Sequence, residues 1–327
     1  LAGVTGGGKT MTMLRIIQAH VLASQAAIVV DPKRDHRLRA MLRELAAALG
    51  VRFREWSPSG PAVYNPIGRG SATEIADKAL AGHDWTEPHY ELATRRVLGL
   101  ALATMRAAGQ WPPTLSGLVE AMDPDRLDAL ADRAGGEVAT RVRAYLDGLG
   151  AQGRADLRGG RDRLAILCES ELGAWLDPTL AGEGEQIDLA GCLDRGEIVY
   201  FCLDADRYPA ASRLLASALV IDLAGLVGAR QGAGRPGLLA LDEFSALAAE
   251  HVARLAARAR GAGISLLLGA QSLADLRLAR PGDTTDTMTE QIIGNVEYVV
   301  CHRIADPDSA ERLARVGGTE PAWALTQ

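Results

Sequence analysis

The chain has 327 residues, 48% of them hydrophobic and 23% charged, with a formal net charge of −6 at pH 7. That length fills one large domain or two smaller ones, and the charge balance excludes a global basic footprint, so any nucleic acid would have to be met by positive charge placed locally. Four cysteines (168, 192, 202 and 301) without C-x-x-C spacing and six scattered histidines argue against a disulfide framework or a zinc site, and for reduced thiols in ordinary core positions.

The first element is Gly3-Val-Thr-Gly-Gly-Gly-Lys9-Thr10, which fits G-x-x-x-x-G-K-[ST] and runs into a helical pattern from Met11 to His20. A polyphosphate needs many short-range donors, so a loop that holds it must shed side chains and turn its backbone N–H groups inward. Gly3, Gly6, Gly7 and Gly8, with Thr5 between them, allow that. Lys9 would meet the β and γ groups at the helix N-terminus, and the Thr10 hydroxyl would ligate Mg²⁺. Lys occurs only at 9, 33 and 78 in a chain with 35 Lys plus Arg, so a Lys in this slot points to a need for a compact ammonium. The bland alternative is a glycine-rich turn before a helix. Only Leu1 and Ala2 precede the loop, where a buried strand is expected, and no initiator Met or signal sequence is present. The sequence therefore reads as a fragment.

Ala26-Ala-Ile-Val-Val-Asp31 reads as a buried parallel strand, Arg37 to Leu49 as a helix with Gly50 as its C-cap, and Val51 to Trp56 as the next strand. Strand, helix and strand with short links imply a right-handed parallel crossover. Between about Ser71 and Gln186 strand-like runs vanish. Helices are predicted over 71–81, 88–108, 114–122, 125–133, 138–149 and 161–175, with breaks at Pro112-Pro113, Pro124, Gly135-Gly136 and Gly159-Gly160. Arg154, Arg158, Arg161 and Arg163, interleaved with Asp156 and Asp162, read first as a solvated helix face and second as a contact for DNA or a partner. The α/β texture resumes with a strand at Glu197 to Leu203 and a long helix over Pro209 to Ala229. No apolar run reaches the roughly 18 residues of a membrane span; Leu214 to Ala229 comes nearest and is broken by Asp222.

Leu238-Leu-Ala-Leu-Asp-Glu-Phe244 is the second chemical landmark: a buried strand with Asp242 and Glu243 at its carboxyl end, where open α/β sheets bind ligands. Asp242 would hold the magnesium shell and Glu243 would polarise an attacking water as general base, although Asp-Glu after a strand can also be a plain helix N-cap. A helix ending near Arg258 and Arg260, a strand over Ile264 to Gly269, and Gln271-Ser272 follow. Gln271 could sense the γ-phosphate, and Ser272 could simply cap the next helix. Ile292 to Val300 leads to another strand, and Asp306 to Val316 forms another helix.

These residues resemble the coupling proteins of type IV secretion and conjugation, hexameric DNA-translocating ATPases, with the septal DNA translocases as more distant relatives. The resemblance rests on the loop at 3–10, Asp31-Pro-Lys33, Tyr64-Asn-Pro66-Ile, Leu241-Asp-Glu-Phe244, Ala259-Arg-Gly-Ala-Gly263 with Gln271-Ser, and Asp306-Pro-Asp-Ser-Ala-Glu-Arg312. Asp-Pro-Lys and Asn-Pro-Ile discriminate most. It implies a P-loop, RecA-like α/β motor with a mainly parallel sheet, at 1–69 and 187–327, interrupted by an all-α domain at 70–186. It also implies ATP and Mg²⁺ as ligands, a hexamer, DNA as cargo, and relaxase or secretion-channel partners. A cytoplasmic position behind a membrane anchor, and Arg260 acting across the subunit interface with Arg258 as second candidate, are further implications. An assembly or protein-export ATPase of a secretion apparatus would share every nucleotide residue, and a nucleotide-gated docking module is the rival from another class.

Overall fold

The computed structural model describes residues 1–83, 85, 87–182, 184–232, 234–243, 249–273 and 287–318. Its strands are β1 (Ala26–Asp31), β2 (Phe53–Trp56), the short β3 (Ala62–Val63) and β4 (Glu185–Gln186), β5 (Ile198–Cys202), β6 (Gly237–Leu241) and β7 (Ile264–Leu268). Five of them form one parallel sheet in the order β2-β5-β1-β6-β7, and β3 pairs with β4. The sheet continues past β7 through single parallel bridges from Ala2 to Ala270 and to Cys301. Strand β5 separates β1 from β2, so the strand-helix-strand unit read from the sequence is parallel but not adjacent.

The apolar runs of β1, β5 and β6 follow from burial on both faces. On one face Ala27, Val29 and Tyr200 meet Met13 and Ile17 of α1 (Lys9–Leu22) and Leu38 and Leu42 of α2 (His36–Leu49). Helix α2 starts on the Asp35 cap and ends at Gly50, left-handed at φ 64°. On the other face Ile28, Val30, Phe201 and Leu239 share a core with the segment between β3 and β4, which is entirely helical where it is ordered into elements. That segment comprises α3 (Ala72–Leu80), α4 (Pro88–Ala107), α5 (Leu115–Ala121), α6 (Pro124–Ala134), α7 (Gly136–Asp147), α8 (Ala151–Cys168) and α9 (Gly173–Leu176). Helices α10 (Leu189–Arg195), α11 (Pro209–Ala229), α12 (Ala249–Ala259), α13 (Thr287–Asn295) and α14 (Pro307–Gly317) complete the described elements.

Gly159 and Gly160 do not break the chain; both lie inside α8. A Cβ at Gly160 would come 2.5 Å from Thr94 Oγ1 of α4, so this glycine serves close helix approach. Helix α8 stops at Cys168, short of the expected end at 175, and α9 follows it. Among the described residues the expected strand after Ile292 is reduced to a single bridge: residues to Asn295 are helical, and beyond them Cys301 bridges to Ala2. Cys301 is exposed and Cys168 half-buried; only Cys192 and Cys202 are core thiols.

The Tyr64-Asn-Pro66-Ile stretch ties the helical segment to the parallel sheet through α11. Asp222, the acid that interrupts the apolar α11, is buried and accepts from the Tyr64 hydroxyl at 2.8 Å, Lys78 Nζ at 2.7 Å and Arg69 at 2.9 Å. Asn65 donates to the Pro113 carbonyl at 2.8 Å. Helix α11 is long and apolar enough to cross a membrane, but 67% of its apolar window is buried inside the protein, and a charge paired this way marks a core helix.

Candidate active site

The phosphate loop is built from backbone. Gly8 caps α1 at φ 99° and Gly3 sits at φ 155°; a Cβ at Gly3 would also fall 2.6 Å from the Cβ of His302, so neither position takes a side chain. Thr5, Gly6 and Gly8 are exposed at the mouth, while Lys9 lies buried beneath. Its ammonium donates to the Gly3 carbonyl and, at 3.3 Å, to that of Val4. The N–H groups of Gly6, Gly8, Lys9 and Thr10 find no acceptor among the described residues. Unpaired donors at a helix N-terminus over an ammonium form a cradle for a polyphosphate.

The carboxyl edge of the sheet supplies the acids. Asp242, at the end of β6, accepts from the Glu243 N–H at 3.0 Å. Burial, then the charges of Glu243 and Asp31, push its carboxyl up to about 6, while Lys9 pulls it down. Gly269 makes room for it, since a Cβ there would lie 2.4 Å from Asp242 Oδ1. Glu243 has a left-handed backbone, φ 44°, which a side-chain-bearing residue rarely adopts. Its Oε1 accepts from Gln271 Nε2 at 2.8 Å and pairs with Lys33 Nζ. The Thr10 hydroxyl donates to Asp35 Oδ2 at 3.5 Å.

Asp31 is fully buried at the end of β1, where desolvation raises its pKa, and it accepts from the Tyr200 hydroxyl at 2.5 Å and the N–H groups of Lys33 and Asp35 at 2.8 and 2.6 Å. Lys9, Asp242, Glu243 and Gln271 are thus brought to one edge of the sheet. Arg258 and Arg260 are not: both are exposed, and Arg260 opens a 3₁₀ turn (Arg260–Ala262) before β7, at the sheet's opposite end. Arg260 also lines a cavity of about 640 Å³ beside β7 and Tyr298. Phe244 lies outside the described residues.

Sequence reading gave no role to His302. The segment around it lies along the loop: Val4 N–H donates to the Arg303 carbonyl at 2.9 Å, and His302 Nε2 is 3.1 Å from Thr12 Oγ1. No local motif marks this histidine, because it is almost three hundred residues from the loop it covers. Asp306 and Ser309 of the last resembling segment act nearby, with Ser309 Oγ accepting from the Leu273 N–H at 3.0 Å, just past Gln271.

A phosphate loop opening a helix, an acid pair ending a neighbouring strand and a parallel sheet with an inserted helical segment define a RecA-like P-loop fold. Residues 236–327 match the family described as the TraM recognition site of TraD and TraG. Among solved structures, the chain is similar to the plasmid coupling protein TrwB in complex with a non-hydrolysable GTP analogue, at 17% identity over 90% of this chain and 67% of that one, with a TM-score of 0.60. TrwB in complex with ADP and Mg²⁺ aligns at 16% identity over 90% and 67%, TM-score 0.58. VirB4 of Thermoanaerobacter pseudethanolicus aligns at 15% identity over 98% and 80%, TM-score 0.61. No curated protein sequence matches the chain. The resemblance to conjugative coupling proteins read from the motifs is borne out by the family match over the last part of the chain and by the fold over nine-tenths of it.

Lys9→Ala is expected to cut nucleotide affinity by roughly ten- to a hundredfold, since hydrogen bonds to charged groups are worth about 1.5–3 kcal/mol. Lys9 is buried against loop carbonyls, so the loop itself loosens while the sheet stays folded. Titration with a fluorescent ATP analogue, alongside circular dichroism, reads both. Unchanged affinity would remove the basis for placing phosphate here.

Proposed function

We propose that this chain is the ATP-hydrolysing, DNA-translocating motor of a conjugative or type IV secretion coupling protein. The supporting observation is the gathering of Lys9, Asp242, Glu243 and Gln271 on one carboxyl edge, with loop donors left over for phosphate. Gly3, Thr5, Gly6, Gly7, Gly8 and Lys9 bind the polyphosphate; Thr10 and Asp242 hold Mg²⁺, which supplies charge neutralisation at the transferred group. The donor set suits it: a hydroxyl, one carboxyl and substrate oxygens are the usual magnesium ligands. Glu243 takes the proton of the attacking water, Gln271 holds Glu243 in place and reads the γ-phosphate, and Arg260 acts on a neighbour's site. TrwB has been solved with ATP and GTP analogues, so purine nucleotides are the substrates to try first.

The reading divides the chain into a motor at 1–69 and 187–327 and an all-α domain at 70–186. It places the motor in a ring, expected to be a hexamer, on the cytoplasmic side of a membrane-anchored protein that meets a relaxase or channel components. Of the four arginines on α8, Arg161 pairs with Asp123 at 3.0 Å and Arg163 packs over Trp85, while Arg154 and Arg158 are exposed for a partner. An assembly or protein-export ATPase of a secretion apparatus, which would share every nucleotide residue, remains the second reading. Turnover measured with and without single- and double-stranded DNA, alongside solution mass, separates them: stimulation by DNA is expected, and its absence in an assembled, active protein favours the second reading.

A further inference from the structure

Lys33 closes Asp31-Pro-Lys33, one of the stretches that discriminate the resemblance. The backbone around it is fixed from several sides. The buried Asp31 carboxylate holds the Lys33 and Asp35 N–H groups, the Pro32 carbonyl accepts from Ala205 N–H at 2.8 Å, and Arg34, left-handed at φ 62°, pairs with Asp204 at 2.9 Å. A turn so pinned directs the Lys33 side chain across the sheet edge to Glu243, whose Oε1 it shares with Gln271 Nε2. One of the two carboxylate oxygens of Glu243, Oε1, is therefore occupied by an ammonium and an amide. Glu243 is held in this state at the end of β6, on a backbone conformation that itself needs support.

We propose that Lys33 is a positioning residue that clasps the general base in the nucleotide-free subunit. It rests on the ATPase reading above. A bound γ-phosphate brings negative charge that competes for the ammonium and the amide, so nucleotide frees Glu243 at the moment a water needs it. Lys33 is 43% exposed and Glu243 16%, so the pair is screened and weak enough to exchange partners.

Lys33→Ala and Lys33→Arg test this together with Glu243→Gln. With the clasp removed, Lys33→Ala binds a non-hydrolysable ATP analogue about two- to fivefold more tightly than wild type, because binding no longer has to break the pair, and its kcat at saturating nucleotide is no lower than that of wild type; an exposed pair is worth up to about 1 kcal/mol. Lys33→Arg keeps the wild-type rate. A double-mutant cycle on urea unfolding, with Lys33→Ala and Glu243→Gln, is non-additive in the nucleotide-free protein and becomes additive at saturating analogue. A fall in kcat on Lys33→Ala would make Lys33 a charge on the phosphate and overturn the clasp. Additivity without nucleotide, or coupling that nucleotide leaves unchanged, overturns it equally. A wild-type chain that binds no nucleotide overturns the ATPase reading and the clasp with it, whereas the other outcomes remove the clasp alone.

Discussion

Glu243→Gln is expected to leave nucleotide affinity intact and to lower turnover by about 10²- to 10⁴-fold, the usual contribution of a positioned general base. The amide occupies the same volume and still accepts from Gln271, so Asp242 and the loop keep their places. Two things are lost: a group able to take a proton, and the ion pair with Lys33. The second is worth little, because Lys33 is solvent-screened, and the left-handed backbone at 243 is no worse for Gln than for Glu. Single-turnover hydrolysis beside equilibrium binding of the same nucleotide separates chemistry from affinity. Turnover near the wild-type rate would place the base elsewhere and leave Glu243 as a partner of Lys33 only.

What the sequence made legible follows from how local each signal is. Strands such as Ala26–Asp31 and Gly237–Leu241 are apolar up to the acid that closes or follows them because both faces are covered, and an acid there has few places to go except the ligand edge. The long α11 was readable to the residue because Pro209 opens it. Signals that depend on a distant partner misled or stayed silent. Gly159-Gly160 looks like a break until Thr94, more than sixty residues earlier, is seen packed against it. Val299 and Val300 suggested a strand, yet 40% of each is exposed, and the chain there makes only bridge contacts with the residues just before the loop. Lys33 sits within a recognisable motif, but its partner Glu243 lies some two hundred residues away, so the motif announces importance without chemistry. Asp222 read as a flaw in an apolar helix because Tyr64, Arg69 and Lys78, which neutralise it, belong to another part of the chain.

Arg260→Ala is expected to bind ATP normally and hydrolyse it about 10³- to 10⁵-fold more slowly, the range for loss of an arginine finger, whereas loss of an ordinary surface arginine costs almost nothing. Position decides between the two. Arg260 lies before β7 and Gln271 beyond its other end; five residues of strand span about 16 Å, farther than a guanidinium reaches, so Arg260 cannot serve the site of its own subunit. Its exposure leaves it free to meet a neighbour's carboxyl edge, where Lys9, Asp242, Glu243 and Gln271 together supply no arginine to the developing charge. Wild-type specific activity should therefore rise with protein concentration as subunits associate. Mixing Arg260→Ala with Glu243→Gln should restore part of the activity, because some interfaces then join an intact base from one subunit to an intact arginine from the next. Arg258→Ala, two residues before this place, should retain most turnover. Activity that is independent of concentration, together with no rescue in the mixture, would mean that each chain carries a complete site, and the proposed ring would have no catalytic purpose.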